Sequence, residues 1–158
     1  MSNKPPAARV AKVPKSAKIA VIAARFNAHI VDELLRGCVA RLEELGINSS
    51  RIGIHRVPGA FELPLAAKWA GQARGCAAVI CLGTVIRGDT PHFDFVAGEA
   101  ARGIQDVGIE LGIPVIFGVL TTNTEEQARQ RIDVGARAAE AAVEMITLSA
   151  EFKKPQRR

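Results

Sequence analysis

Apolar positions along the chain fall into short unbroken runs, separated by stretches whose apolar period is about 3.6 residues. The first run, KIAVIAA at 18–24, is short and partly β-branched, which predicts a strand buried on both faces. Behind it Ile30, Val31, Leu34, Leu35, Cys38, Val39 and Leu42 recur at helical spacing, with Asn27 placed to cap that helix and Gly46 to end it. RIGIHRV at 51–57 alternates as a second strand and stops at Pro58-Gly59. A helix is predicted from Phe61 to Ala73, and AAVICL at 77–82 is a third buried strand. Gly83 to Pro91 then reads as a loop, and Phe93 to Leu111 as a long helix weakened by Gly98, Gly103 and Gly108. IPVIFGVL at 113–120 is a fourth strand. Thr124 and Gln127 have capping-box spacing and open a short helix, and a last helix spans 134–150.

Strands alternating with helices predict a single α/β domain: a doubly wound, four-stranded parallel sheet flanked by helices on both faces. Ligands of such sheets sit beyond the carboxyl ends of the strands. Four polar or aromatic clusters fall there: 25–27, 59–62, 83–92 and 121–123. Phe26, Glu62, Thr90 and His92 are thereby predicted to converge on one rim.

Composition narrows the class. A chain of 158 residues, 48% of them apolar, is one globular domain of ordinary size. No apolar run is long enough to span a bilayer, and the N-terminus lacks the apolar core of a signal peptide. An unprocessed cytoplasmic protein is expected. Cys38, Cys76 and Cys81 show no C-x-x-C pairing and sit in apolar segments, as small buried hydrophobes do in a reducing compartment. His29, His55 and His92 are too scattered for a metal cluster.

The net charge of +5 resides at the ends. Residues 1–18 carry five unopposed bases and residues 151–158 four bases against Glu151, which leaves the body between them at −3. A specific nucleic-acid face is not indicated. The Pro-, Ala- and Lys-rich segment 1–16 reads as a disordered basic leader, 17–150 as the folded domain, and 151–158 as a basic tail.

GTVIRGDTPHFD at 83–94 carries the chemistry. Gly83, Gly88 and Thr90 reproduce the glycine spacing of a nucleotide-binding P-loop, but Asp89 stands where that loop needs its lysine. A carboxylate there repels polyphosphate, and Pro91 follows at once. Backbone amides leading into a helix N-terminus can still hold a single phosphate, and proline suits the first turn of such a helix. Taken alone, His92 and Arg131 read as surface residues, Glu62 as a first-turn acid, and Phe26 and Phe117 as packing residues.

Together they resemble a known family. ARFN at 24–27, VPGAFELP at 57–64, GTVIRGDTPHFDFV at 83–96 and IPVIFGVLTTNTEEQARQR at 113–131 match, in order and spacing, the lumazine synthase family, over roughly residues 17–148. The resemblance implies a flavodoxin-like fold. It also implies condensation of 5-amino-6-(D-ribitylamino)uracil with 3,4-dihydroxy-2-butanone 4-phosphate, the penultimate step of riboflavin biosynthesis, without metal or organic cofactor. By position, Phe26 would stack on the pyrimidine; Ala60, Phe61 and Glu62 would line the ribityl site; Thr84, Val85 and Ile86 would hold the pyrimidine through backbone groups. Asp89 and Thr90 would lie at the phosphate, and His92 would donate the proton. Phe117 and Arg131 would enter a neighbouring subunit's site, Arg131 facing phosphate, in a homopentamer that in some members builds an icosahedral shell.

One segment departs from the family pattern. RIDVGARAAEAA at 131–142 is two residues shorter than the usual run and puts Arg137 where a substrate-facing lysine stands. A shell or scaffold protein of this fold with little synthase activity is the alternative, and a phosphate-binding regulator a third.

Overall fold

A computed structural model describes residues 6–9 and 13–155. The elements are β1 (Lys18–Ala24), α1 (Ala28–Glu44), β2 (Ile52–Val57), α2 (Leu63–Gly71), β3 (Cys76–Ile86), α3 (His92–Leu111), β4 (Val115–Thr122), α4 (Glu125–Arg129) and α5 (Val134–Lys153). Short 3-10 turns at Ser49–Arg51 and Ala60–Glu62 lead into β2 and α2. The strands form one parallel sheet in the order β2-β1-β3-β4. The predicted α/β class, strand number and parallel arrangement all stand.

Two apolar layers hold the sheet between helices. On one face α1 sets Ile30, Val31, Leu34, Cys38 and Leu42 against Ile19, Val21, Ala23, Ile80 and Leu82, and Ala138, Ala142 and Val143 of α5 complete the layer. On the other face Leu63, Ala67, Ala100 and Ile104 of α2 and α3 cover Ala20, Ile22, Val79, Cys81 and Val119. Each fully buried Leu, Ile or Val contributes about 1.5–3 kcal/mol. The buried thiols belong to this packing. Burial pushes Cys38 and Cys81 up to about 12, too high for a thiolate nucleophile at neutral pH.

Several boundaries differ from the sequence expectation. β3 does not stop at Leu82 but continues through Gly83–Ile86, paired with Val119–Thr122 of β4. Gly83 suggested a turn, yet it serves close packing: a Cβ there would lie 3.3 Å from Leu63 Cδ1. β4 starts two residues later than predicted because Ile113 and Pro114, although apolar, precede the ladder. α5 runs past Ala150 to Lys153, there being no helix breaker before Pro155. Val13, within the predicted leader, packs on the α1–α5 layer, and the Arg9 amide donates to Glu144 Oε2 at 3.3 Å. Residues 1–5, 10–12 and 156–158, parts of the predicted leader and tail, lie outside the described residues. Among the described residues no helix is long and apolar enough to cross a membrane.

Candidate active site

The strand order locates the site before any side chain is considered. The chain leaves β1 toward the α1–α5 face and leaves β3 toward the α2–α3 face, so the sheet changes winding direction between these two neighbouring strands. A crevice opens beyond the carboxyl ends at such a point. A cleft of about 610 Å³ lies there. Phe26 and Asn27 after β1, Gly59–Glu62 after β2, Thr84–Ile86 at the end of β3, and Gly88, Thr90, His92, Phe93, Phe95 and Val96 from the next loop and helix line it.

Phe26 is 71% exposed, unusual for a large aromatic ring. Its backbone is pinned, since the Arg25 and Phe26 amides donate to Val57 O and Pro58 O at 2.8 and 3.0 Å. The ring is thus an exposed wall on a fixed support. Glu62 is held in turn by the Gly59 amide, which donates to its Oε2 at 2.9 Å and leaves Oε1 to a ligand hydroxyl.

β3 presents its backbone. The last β1–β3 pair is Ala23 with Leu82, whereas β3 continues to Ile86. Beyond Leu82 its β1-facing edge therefore has no strand partner. Strand residues alternate the direction of their backbone groups. The Arg87 amide donates toward β4, to Thr122 O at 2.9 Å, so Thr84 and Ile86 turn theirs toward the cleft. On that edge Asn27 Nδ2 takes the Thr84 carbonyl at 2.9 Å, and the Ile86 backbone groups beyond it suit the flat, polar rim of a heterocycle.

His92 is the first residue of α3 and is exposed; Pro91 precedes it. Its backbone amide makes a long contact of 3.4 Å to Thr90 Oγ1, and among the described residues its imidazole has no hydrogen bond. The ring is therefore available to a ligand.

Four predicted site residues are not in this cleft wall. Asp89 is exposed on the loop between Gly88 and Thr90. Phe117, 43% exposed, lies on edge strand β4. Arg131 follows α4, with Nη1 donating to Gln127 O at 2.8 Å. Arg137, in the first turns of α5, pairs with Asp133 at 3.1 Å. Asp89 thus borders the cleft without lining it, whereas Phe117, Arg131 and Arg137 are not part of the β1–β3 crevice of their own chain. A second cleft, about 630 Å³, runs along β2 beside Trp69. It lies along edge strand β2 rather than at the β1–β3 switch point, and Trp69 in its wall is 65% exposed.

Sequence reasoning missed several contributors. Arg87 sits 4.3 Å over the Phe93 ring and donates to Asn123 Oδ1 and Asp94 Oδ1 at 3.1 and 3.3 Å, joining the ends of β3 and β4 to the start of α3. Phe95, 69% exposed, adds a second aromatic wall. A ring just after the candidate histidine was the available signal. Asn27 holds the predicted N-cap position of α1, but its side chain makes no capping bond.

Comparison with known proteins bears on this arrangement. A family model described as 6,7-dimethyl-8-ribityllumazine synthase matches residues 16–150. A protein of Protochlamydia amoebophila (strain UWE25) with the same name is 46% identical over 138 residues, which covers 84% of this chain and 80% of that protein.

Proposed function

The chain belongs to the 6,7-dimethyl-8-ribityllumazine synthase family, and we propose that the β1–β3 cleft is where it performs that synthesis. The reaction joins 5-amino-6-(D-ribitylamino)uracil to 3,4-dihydroxy-2-butanone 4-phosphate. The amine attacks the ketone, water leaves as the imine forms, phosphate is eliminated, and ring closure by the ribitylamino nitrogen on the remaining carbonyl, with loss of a second water, yields the lumazine. The observation that carries this assignment is the meeting in one cleft of an exposed ring, a strand edge that extends past its neighbour, a carboxylate and an imidazole without a hydrogen bond among the described residues.

Each group has a matching task. The Phe26 ring offers its π face to the pyrimidine, and Thr84–Ile86 bond its edge. Ala60, Phe61 and Glu62 border the ribityl chain, Glu62 accepting from hydroxyls. Thr90 and the amides at the start of α3 face the phosphate, with Asp89 beside them. His92 moves the proton, since imidazole both gives and takes protons near neutral pH. Holding two reactants together in such a cleft also removes much of the entropic barrier of a bimolecular step. Mixing both substrates with the protein should yield the coloured, fluorescent lumazine at a rate proportional to protein. A rate equal to that without protein would leave the scaffold alternative in its place.

A homopentamer accounts for the residues outside the cleft. Phe117 and Arg131 lie toward the β4 edge, from which they would enter another subunit's site, and Arg137 follows on α5. Both edges carry exposed apolar side chains, Ile54, Leu65 and Trp69 beside β2 and Ile109 and Phe117 beside β4. Unlike edges that meet head to tail close into a ring, and obligate interfaces are large and apolar. The free, buried Cys38 and Cys81 suit a reducing cytoplasm.

Arg131→Ala should raise KM for the butanone phosphate about tenfold, the loss of one charge-assisted contact, and leave KM for the pyrimidine nearly unchanged. Phe26→Ala and Arg131→Ala subunits, unfolded and refolded together, should recover part of the lost activity, because some interfaces then join two intact half-sites. An active monomer by light scattering, or no recovery in mixed rings, would refute the shared site.

A further inference from the structure

Asn27 stands between two parts of the cleft that have to be held a fixed distance apart. It is the only non-glycine with positive φ among the described residues, at φ 57 and ψ 43. This left-handed residue turns the chain from β1 into α1 directly after Phe26. Its side chain does not cap α1 but reaches across the sheet, where Nδ2 donates to Thr84 O at 2.9 Å.

That bond lies just past the point where the β1–β3 ladder ends. Thr84 O would be the next acceptor, but β1 has already turned away toward α1. The Asn27 amide takes the place of the missing strand. It also leaves Ile86, the next residue with the same orientation, free for a ligand. Asparagine suits both demands, since it tolerates the left-handed conformation better than most side chains and carries an N–H₂ donor.

We propose that Asn27 is a positioning residue that sets the width of the pyrimidine slot, tying the Phe26 turn to the strand edge at Thr84–Ile86. The role rests on the synthase function assigned above to this cleft. It predicts an effect on one substrate only, because the phosphate side, at Thr90 and His92, is built from α3 and its loop and has no bond to Asn27.

Asn27→Gly separates backbone from side chain, since glycine keeps the left-handed turn and removes only the amide. Asn27→Asp keeps the shape but sets a carboxylate oxygen against the Thr84 carbonyl. Both variants and the wild type are assayed for lumazine formation with each substrate varied in turn, alongside a thermal melt. KM for the pyrimidine should rise about tenfold in Asn27→Gly and further in Asn27→Asp, while KM for the butanone phosphate stays within about twofold. Equal rises in both constants, or a lowered melting temperature with both constants unchanged, would assign Asn27 a purely structural role and overturn the proposal. If Asn27→Gly does not fold, the isosteric Asn27→Asp decides by the same ratio. A wild type that forms no lumazine would instead overturn the function itself, a result distinct from any difference among variants.

Discussion

His92→Ala should lower turnover by about 10²-fold, the low end for a group that transfers a proton in the transition state, and leave the protein folded and assembled. Both halves follow from the environment of the ring. It is exposed at the first position of α3 and has no hydrogen-bond partner among the described residues, so truncation leaves no buried group unsatisfied. The other cleft residues should stay in place and, on the proposed function, still bring both reactants together, a contribution that does not depend on the imidazole. This keeps the loss at the low end. Steady-state lumazine fluorescence measures kcat, and the melting curve and light scattering measure fold and assembly. An unchanged kcat would remove proton transfer from His92, and a collapsed assembly would make it a packing residue.

Gly135→Ala should destabilise the protein by about 3 kcal/mol, the upper end for overpacking, and lower Tm by roughly 6–12 °C for a chain of this size. Gly135, near the start of α5, lies directly against the backbone of α1. A Cβ placed there would sit 2.1 Å from Leu34 O and within 2.9 Å of Leu34 Cα. Leu34 is fully buried in the middle of its helix, so neither backbone can yield without α1 moving as a body. Because α1 begins at the Asn27 turn, the displacement should also weaken synthesis at temperatures where the variant is still folded. Gly37 is the internal control at the same helix crossing. A Cβ there meets only Ala136 N at 3.7 Å, an ordinary contact. Gly37→Ala should therefore stabilise by about 0.5–1 kcal/mol through the better helix propensity of alanine. Melting curves with shifts of the same sign would refute the backbone contact.

The central strands and the long helices were legible because their patterns are local. KIAVIAA is buried along nearly its whole length, and the α1 stripe from Ile30 to Leu42 faces the sheet as its period requires. The rim was legible as well: once the sheet is parallel, Phe26, Glu62, Thr90 and His92 must follow strands at one end, and all four line the cleft. The motifs in 24–27, 57–64 and 83–96 carried the family, which the matches over 16–150 show independently.

The misreadings arose where a residue's meaning depends on a partner far along the chain. Gly83 looks like a breaker to any local rule, but its missing side chain makes room for Leu63. Asn27 looks like a helix cap, yet its donor is spent on a carbonyl 57 positions away. Arg87 looks like a loop charge until the ends of β3 and β4 and the start of α3 are seen around it. Sequence alone determined the class of fold, the order of elements and the end of the sheet at which the cleft opens, because hydrophobic period and strand direction are properties of neighbouring residues. Tertiary structure alone decided how far β3 extends past β1, which backbone groups face the cleft, and how closely α1 and α5 meet at Gly135, because strand register and helix packing join residues that no local pattern connects.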